Sequence, residues 1–335
     1  MMKKITAAAV AMSLVFCLLS GCSTASEGNE SQEGVIILAA DFAEYDWIRA
    51  ILGDNPSDIE LHRLNETGAD MHSYQPTVAD MAQISDCSLL VYSGGESEFW
   101  ITDAAESSNK TSESILSLME VLAHDPELSE KYEGTAGVHN HEHEHHDEHD
   151  HSEEYDEHMW LSLKSSPVFI ERITEAISGL DPQNSAIYEQ NARNYIEEIR
   201  RLDLEFEKMV SEAKKQGHDT ILMADRFPFA YLMADYGLNY IAAFPGCYAE
   251  TEASFATILS LSEAIDNCGL DTVFVMKKSD TSLAQTIIQN SSSEDVTILT
   301  LDSMQSVTSK DVQKGEKYLS VMENNLAALS AALIK

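Results

Sequence analysis

Positive charge is what this chain has least of. Its 335 residues carry 21 Lys and Arg against 57 Asp and Glu, a net charge of −36. Nucleic acids and anionic lipids are bound through neutralised phosphates, so a chain this acidic has little electrostatic hold on either. It attracts cations instead. Cysteine is also scarce: there are five, with no C-x-x-C pair among them, which removes the usual paired-thiol motifs. Long apolar runs stop early. Beyond the N-terminal leader no segment approaches the roughly 20 apolar residues that a membrane span requires. Outside residues 139–151 no H-E-x-x-H motif is present, so the common helical zinc-hydrolase arrangement has no other candidate. A metallohydrolase would also need an open metal position beside a general base.

What is present begins at the N-terminus. "MMKKITAAAVAMSLVFCLLSGC" sets Lys3 and Lys4 before a short apolar run and small residues, the layout of a secretory signal. Leu19-Ser20-Gly21-Cys22 resembles the lipobox of bacterial lipoproteins, in which the Cys becomes the lipid-modified first residue. The expectation is therefore a signal over 1–21 and an anchor at Cys22 in the bacterial cell membrane, outside the cytoplasm. Residues 22–34, "CSTASEGNESQEG", are polar and rich in Ser, Glu and Gly. They read as a flexible tether. Cys87 stands in an apolar strand context and reads as a packing residue. Cys247 and Cys268 could pair in an oxidising compartment.

The remaining 300 or so residues suffice for two lobes. "VIILAAD", "IELHRL" and "CSLLVYSG" are short strand-like runs, with helical spacing in "FAEYDWIRAILGD" and in "TVADMAQIS", capped by Thr77. "SILSLMEVL" fits either a helix or a strand. Residues 184–217 carry apolar side chains every three or four positions, from Tyr188 and Ala192 to Met209 and Ala213. One amphipathic helix roughly 50 Å long is expected there. The strand pattern then restarts in "TILMAD", "NYIAAF", "TVFVM" and "VTILTL". Alternation of strand and helix implies parallel sheets. The expected fold is α/β: two Rossmann-like βα lobes, over 35–183 and 218–335, joined by a long rigid helix. Ligands in such sheets bind beyond the carboxyl ends of the strands.

Histidine is concentrated in one place. "HNHEHEHHDEHDH" holds seven imidazoles, at His139, His141, His143, His145, His146, His149 and His151, among five carboxylates. Such a stretch cannot build a core. Neutral imidazoles bind borderline metals, and neighbouring carboxylates favour the protonated form. Weak, multiple, pH-dependent metal binding is expected, against the plainer reading of a solvated acidic loop. Two histidines stand apart: His72 in "NETGADMHSYQPTVADM" and His158 in "DEHMWLSLKSSP". Each lies between predicted elements, where a cleft ligand would sit.

The run from "VIILAADFAEYDW" through "GADMHSYQP" and "LLVYSG", then "EHMWLS", the long helix and "YLMADYGLNY", resembles the zinc/manganese substrate-binding lipoproteins of bacterial ABC transporters (cluster A-I type). The resemblance covers nearly all of the mature chain. It implies a metal held between the lobes by two ligands from each, and partners in an ABC permease and its ATPase. His72 and His158 match the two N-lobe ligands. The third position falls on Arg226, whose guanidinium has no lone pair to offer. Asp225, one residue away, is the candidate in its place, or else it simply pairs with Arg226. Asp302 in "ILTLDSM" matches the fourth. Glu252 is a reserve carboxylate or a helix-start acid. Zinc-type members carry a His/acid-rich loop where this chain has its tract, which implies a low-affinity collector beside a tighter site. The expected function is capture of Zn(II) for import, without catalysis. The alternatives are a Mn(II) carrier, favoured by a carboxylate-rich site, and a metal-buffering or adhesive surface lipoprotein.

Overall fold

A computed structural model describes residues 34–132, 156–245, 253–293 and 295–335. The seven tract histidines, Cys22, Cys247 and Glu252 lie outside the described residues.

Two four-stranded sheets organise the body, all of whose pairs are parallel. The first contains β1 (Ile36–Ala39), β2 (Glu60–Arg63), β3 (Leu89–Tyr92) and β4 (Ile115–Ser117), ordered β2-β1-β3-β4. The second contains β5 (Thr220–Phe227), β6 (Asn239–Pro245), β7 (Thr272–Met276) and β8 (Thr297–Leu301), ordered β6-β5-β7-β8. The two lobes thus repeat one topology. Their inner strands are apolar at nearly every position because both faces are covered: Ile37, Leu38 and Ala39 in β1, and Val273, Phe274 and Val275 in β7, are all buried.

Helices alternate with the strands. In the first lobe these are α1 (Phe42–Leu52), α2 (Val78–Asp86), α3 (Phe99–Ser107), α4 (Leu118–His124), α5 (Pro126–Lys131) and α6 (Ser166–Leu180). The Thr77 cap at α2 is a full capping box with Asp80. "SILSLMEVL" is both things at once: β4 ends at Ser117, whose hydroxyl then caps α4. Helix α7 (Ser185–Lys215) has 31 residues, about 46 Å of rise. It buries Tyr188, Ala192, Ile199, Leu202, Phe206, Met209 and Ala213 against neighbours. The second lobe adds α8 (Ala230–Tyr236), α9 (Phe255–Cys268), α10 (Ser282–Asn290), α11 (Ser309–Gln313) and α12 (Tyr318–Leu333).

One core runs through both lobes and α7, joining Trp47, Phe169, Tyr188, Phe206, Phe229 and Tyr318. Smaller cores fill the outer face of each sheet. Polar ties reinforce the junction. Tyr318, at the start of α12, donates its N–H to Asp46 Oδ2 (2.9 Å) and its hydroxyl to the Trp160 carbonyl (2.8 Å). Trp160 Nε1 donates to the Ser303 carbonyl at 3.0 Å. The C-terminal helix therefore grips the first lobe directly. Among the described residues, no helix is long and apolar enough to cross a membrane. Cys87 is buried, as a packing residue should be, and Cys268 is exposed at the end of α9.

Candidate metal centre

The carboxyl ends of the strands carry the chemistry. His72 sits on the connection after β2, in a single 3-10 turn, Met71–Ser73. Asp70 caps that turn, its Oδ1 accepting the His72 N–H at 3.1 Å. The loop before it is tied internally: the Asn65 side chain bonds the Ala69 N–H and carbonyl at 2.9 and 2.8 Å. His158 precedes another 3-10 turn, Met159–Leu161. It is buried, 1% exposed. Asp156 Oδ1 accepts both its backbone N–H and its Nδ1–H, each at 2.8 Å. A proton held on Nδ1 leaves the lone pair on Nε2, which is how a ligating imidazole is usually oriented.

The two rings approach each other, with centroids 5.7 Å apart. Between the histidine turns lies a carboxylate that sequence reasoning missed. Glu157 Oε1 is 3.1 Å from His72 Nε2, and its Oε2 accepts the Ser97 N–H at 3.2 Å. Gly95 makes room for it, since a Cβ there would stand 2.0 Å from Glu157 Oε2 and 2.3 Å from its Cβ. Ligand atoms of His72, Glu157 and His158 all lie within 4.8 Å of one another. Zinc takes such ligands at about 2.0–2.2 Å in a tetrahedron, so a small inward movement would let all three reach one ion. The signal that could have found Glu157 is its place directly before His158.

Behind this group is a set of buried acids. Burial pushes Asp41, Glu44 and Glu98 above the ordinary carboxylate range, and Glu44 pushes both Asp41 and Glu98 further. Glu98 Oε2 accepts the Gly94 N–H at 2.8 Å. Ser93 Oγ donates to Glu44 Oε1 at 2.9 Å.

The second lobe faces the centre differently from the expected pattern. The structure does not bring Asp225 or Asp302 into the His72–Glu157–His158 group. Asp225 sits where the β5–β6 register shifts between Met223 and Arg226. Its Oδ1 accepts the Arg226 N–H at 2.8 Å and its Oδ2 the Met276 N–H at 3.2 Å, so it staples β5 to β7. The Arg226 guanidinium reaches into the first lobe instead, with Nη2 2.6 Å from Asp70 Oδ2. Asp302 Oδ1 accepts the Met304 N–H, and its Oδ2 pairs with Lys277 Nζ, both at 2.8 Å. Burial alone would lower Lys277, but Asp302 and Glu316 outweigh it and hold that amine above its usual range. Tyr231 donates its hydroxyl to the Asp156 carbonyl at 2.7 Å.

Comparison with known proteins decides the lineage. The zinc-uptake complex component A family (ZnuA, periplasmic) matches residues 37–332. The chain belongs to this family. The family is described as a periplasmic component of the zinc-uptake complex. It is 28% identical over 329 residues to the zinc-binding lipoprotein AdcA of Streptococcus pneumoniae, covering 98% of this chain and 60% of that protein. It is 26% identical over 322 residues to the high-affinity zinc uptake system protein ZnuA of Bacillus subtilis, covering 95% of each. The chain thus spans about 60% of the length of the streptococcal relatives it matches. The Zn(II)-bound ZnuA-like domain of S. pneumoniae AdcA superposes with a TM-score of 0.68 at 24% identity, over 90% of this chain and all of that one. That likeness shows the two-lobed fold. Within the family frame, Arg226 is the departure, because a permanent cation stands where the resemblance implies a ligand.

Proposed function

We propose that this protein captures Zn(II) outside the cytoplasm and delivers it to an ABC permease driven by its ATPase. The observation that carries the reading is the convergence of His72, Glu157 and His158, two imidazoles and a carboxylate, in one pre-oriented group. Such a nitrogen-rich set suits zinc. The carboxylates that would have favoured Mn(II), Asp225 and Asp302, are engaged in backbone bonds and, for Asp302, a lysine pair. The named functions of the AdcA and ZnuA relatives support zinc as cargo. In this reading His72, Glu157 and His158 bind the ion, and Asp302 joins only if Lys277 releases it. The histidines of 139–151 act as a weak collector, and Cys22 carries the lipid anchor.

The test is titration calorimetry of the full chain with zinc and with manganese. It is repeated with the seven tract histidines changed to serine, and again with His72→Ala added. One tight zinc site that survives loss of the tract and vanishes with His72→Ala is expected. A tight site that disappears with the tract histidines would overturn the cleft as the transport site and make the tract the functional binder.

A further inference from the structure

Arg226 stands beside the site with its charge directed at the first lobe. Its guanidinium meets Asp70 Oδ2 at 2.6 Å, while Oδ1 of the same carboxylate holds the His72 N–H at 3.1 Å. One side chain of the first lobe is thus gripped from the second lobe at one oxygen and grips a ligand turn with the other. The pair is largely shielded, with Arg226 24% and Asp70 30% exposed at the side chain, so solvent screens it only in part. The same arrangement recurs at the second histidine. Tyr231, fully buried on α8, donates to the Asp156 carbonyl at 2.7 Å, and the Asp156 carboxylate holds both N–H groups of His158. The loop carrying Asp70 meets the second lobe again at Glu66, whose carbonyl accepts the Ser309 N–H at 2.8 Å.

We propose that Arg226 and Tyr231 are positioning residues for the metal: the second lobe acts on His72 and His158 through Asp70 and Asp156. Asp70 and Asp156 are the intermediaries that orient the ligands, a role in which outer partners tune affinity. Arg226 then keeps an inter-lobe link at a position where its guanidinium cannot itself bind the metal. The inference rests on the cleft reading above.

The experiment measures zinc affinity by chelator competition in the full chain with tract histidines changed to serine. Arg226→Ala and Asp70→Asn are compared singly and together. Asn keeps an acceptor for the His72 N–H, removes the charge and replaces the oxygen facing Arg226 with an amide donor. Each single variant is expected to weaken zinc by about three- to tenfold, the double variant no further, and Arg226→Lys to recover part of the loss. Tyr231→Phe, lacking only the hydroxyl, is expected to lose affinity in the same range. The metal-free melting temperature is recorded beside each, so that a general loss of stability is told apart from a loss confined to zinc. Unchanged or tighter zinc binding in Arg226→Ala overturns the inference, and so do fully additive losses for the Arg226→Ala, Asp70→Asn pair. His72→Ala separates the two readings: if it leaves zinc untouched, the cleft itself fails and this inference with it. If it abolishes binding while the Arg226 and Asp70 variants bind normally, only this inference fails.

Discussion

His158 owes its usefulness to a residue two positions away. Asp156 spends one oxygen on both the backbone and the ring of that histidine, which fixes the turn and the tautomer together. Removing it takes away the acceptor that Asp156 offers to Nδ1 and to the backbone N–H. Asp156→Ala is therefore expected to weaken zinc by about ten- to a hundredfold, in the range typical of lost outer-shell partners. Chelator competition checks this, and a loss below threefold would mean that the ring is oriented without Asp156. At this scale the histidines are the legible part. Each is a rare ligand type placed between recognisable elements. Glu157 is not legible in the same way, because Glu153, Glu154 and Asp156 surround it and one more acid in an acidic stretch carries no contrast.

Among the elements, the loop from β2 to α2 does the most positioning. Gly68 has φ of +66°, and a Cβ there would lie 2.5 Å from the Ser306 carbonyl oxygen. The backbone conformation and the contact with the second lobe both call for glycine. Gly68→Ala is expected to destabilise by about 1–3 kcal/mol and to weaken zinc as well, because the loop that shifts carries Asp70 and His72. Urea unfolding with and without zinc checks both effects, and unchanged stability would show that the loop slides past Ser306 at no cost. Elements are also where sequence reading is strongest and where it fails in a definable way. Short apolar runs marked both sheets, whose inner strands are covered on both faces, and a 3.6-residue period marked the long helix, which buries one face. Asp225 shows the limit. Spacing along a strand assumes an even pleat, and a shift of register between Met223 and Arg226 re-aims every side chain beyond it. No local composition announces that shift. Asp302 is a different case, for it pairs with Lys277 from a separate strand end, and pairing across strands is invisible in a single chain's order.

For the whole molecule, acidity enters the interior as well as the surface. Glu44 is fully buried, and its Oε2 has no hydrogen-bond partner among the described residues. Burial raises its pKa above the usual value; its own backbone N–H and the Ser93 hydroxyl only partly offset this. Asp41, Asp46 and Glu98 are raised by burial too. The sign of the linkage follows. The folded state holds these protons to higher pH than the unfolded chain, whose carboxyls titrate near about 4. Their contribution to stability is complete below that value and is lost as pH rises through the folded values. Repulsion among the excess surface carboxylates acts in the same direction, so the wild-type slope alone cannot separate core from surface. Glu44→Gln can. It keeps the shape and the acceptor for Ser93, it removes one titrating proton from the core, and it changes the net charge by a single unit. The variant is expected to lose less stability than the wild type between about pH 5 and about pH 8, measured by urea unfolding without metal. Parallel slopes for the two proteins would show that Glu44 titrates alike folded and unfolded, and would leave the pH dependence to Asp41, Asp46, Glu98 and the surface.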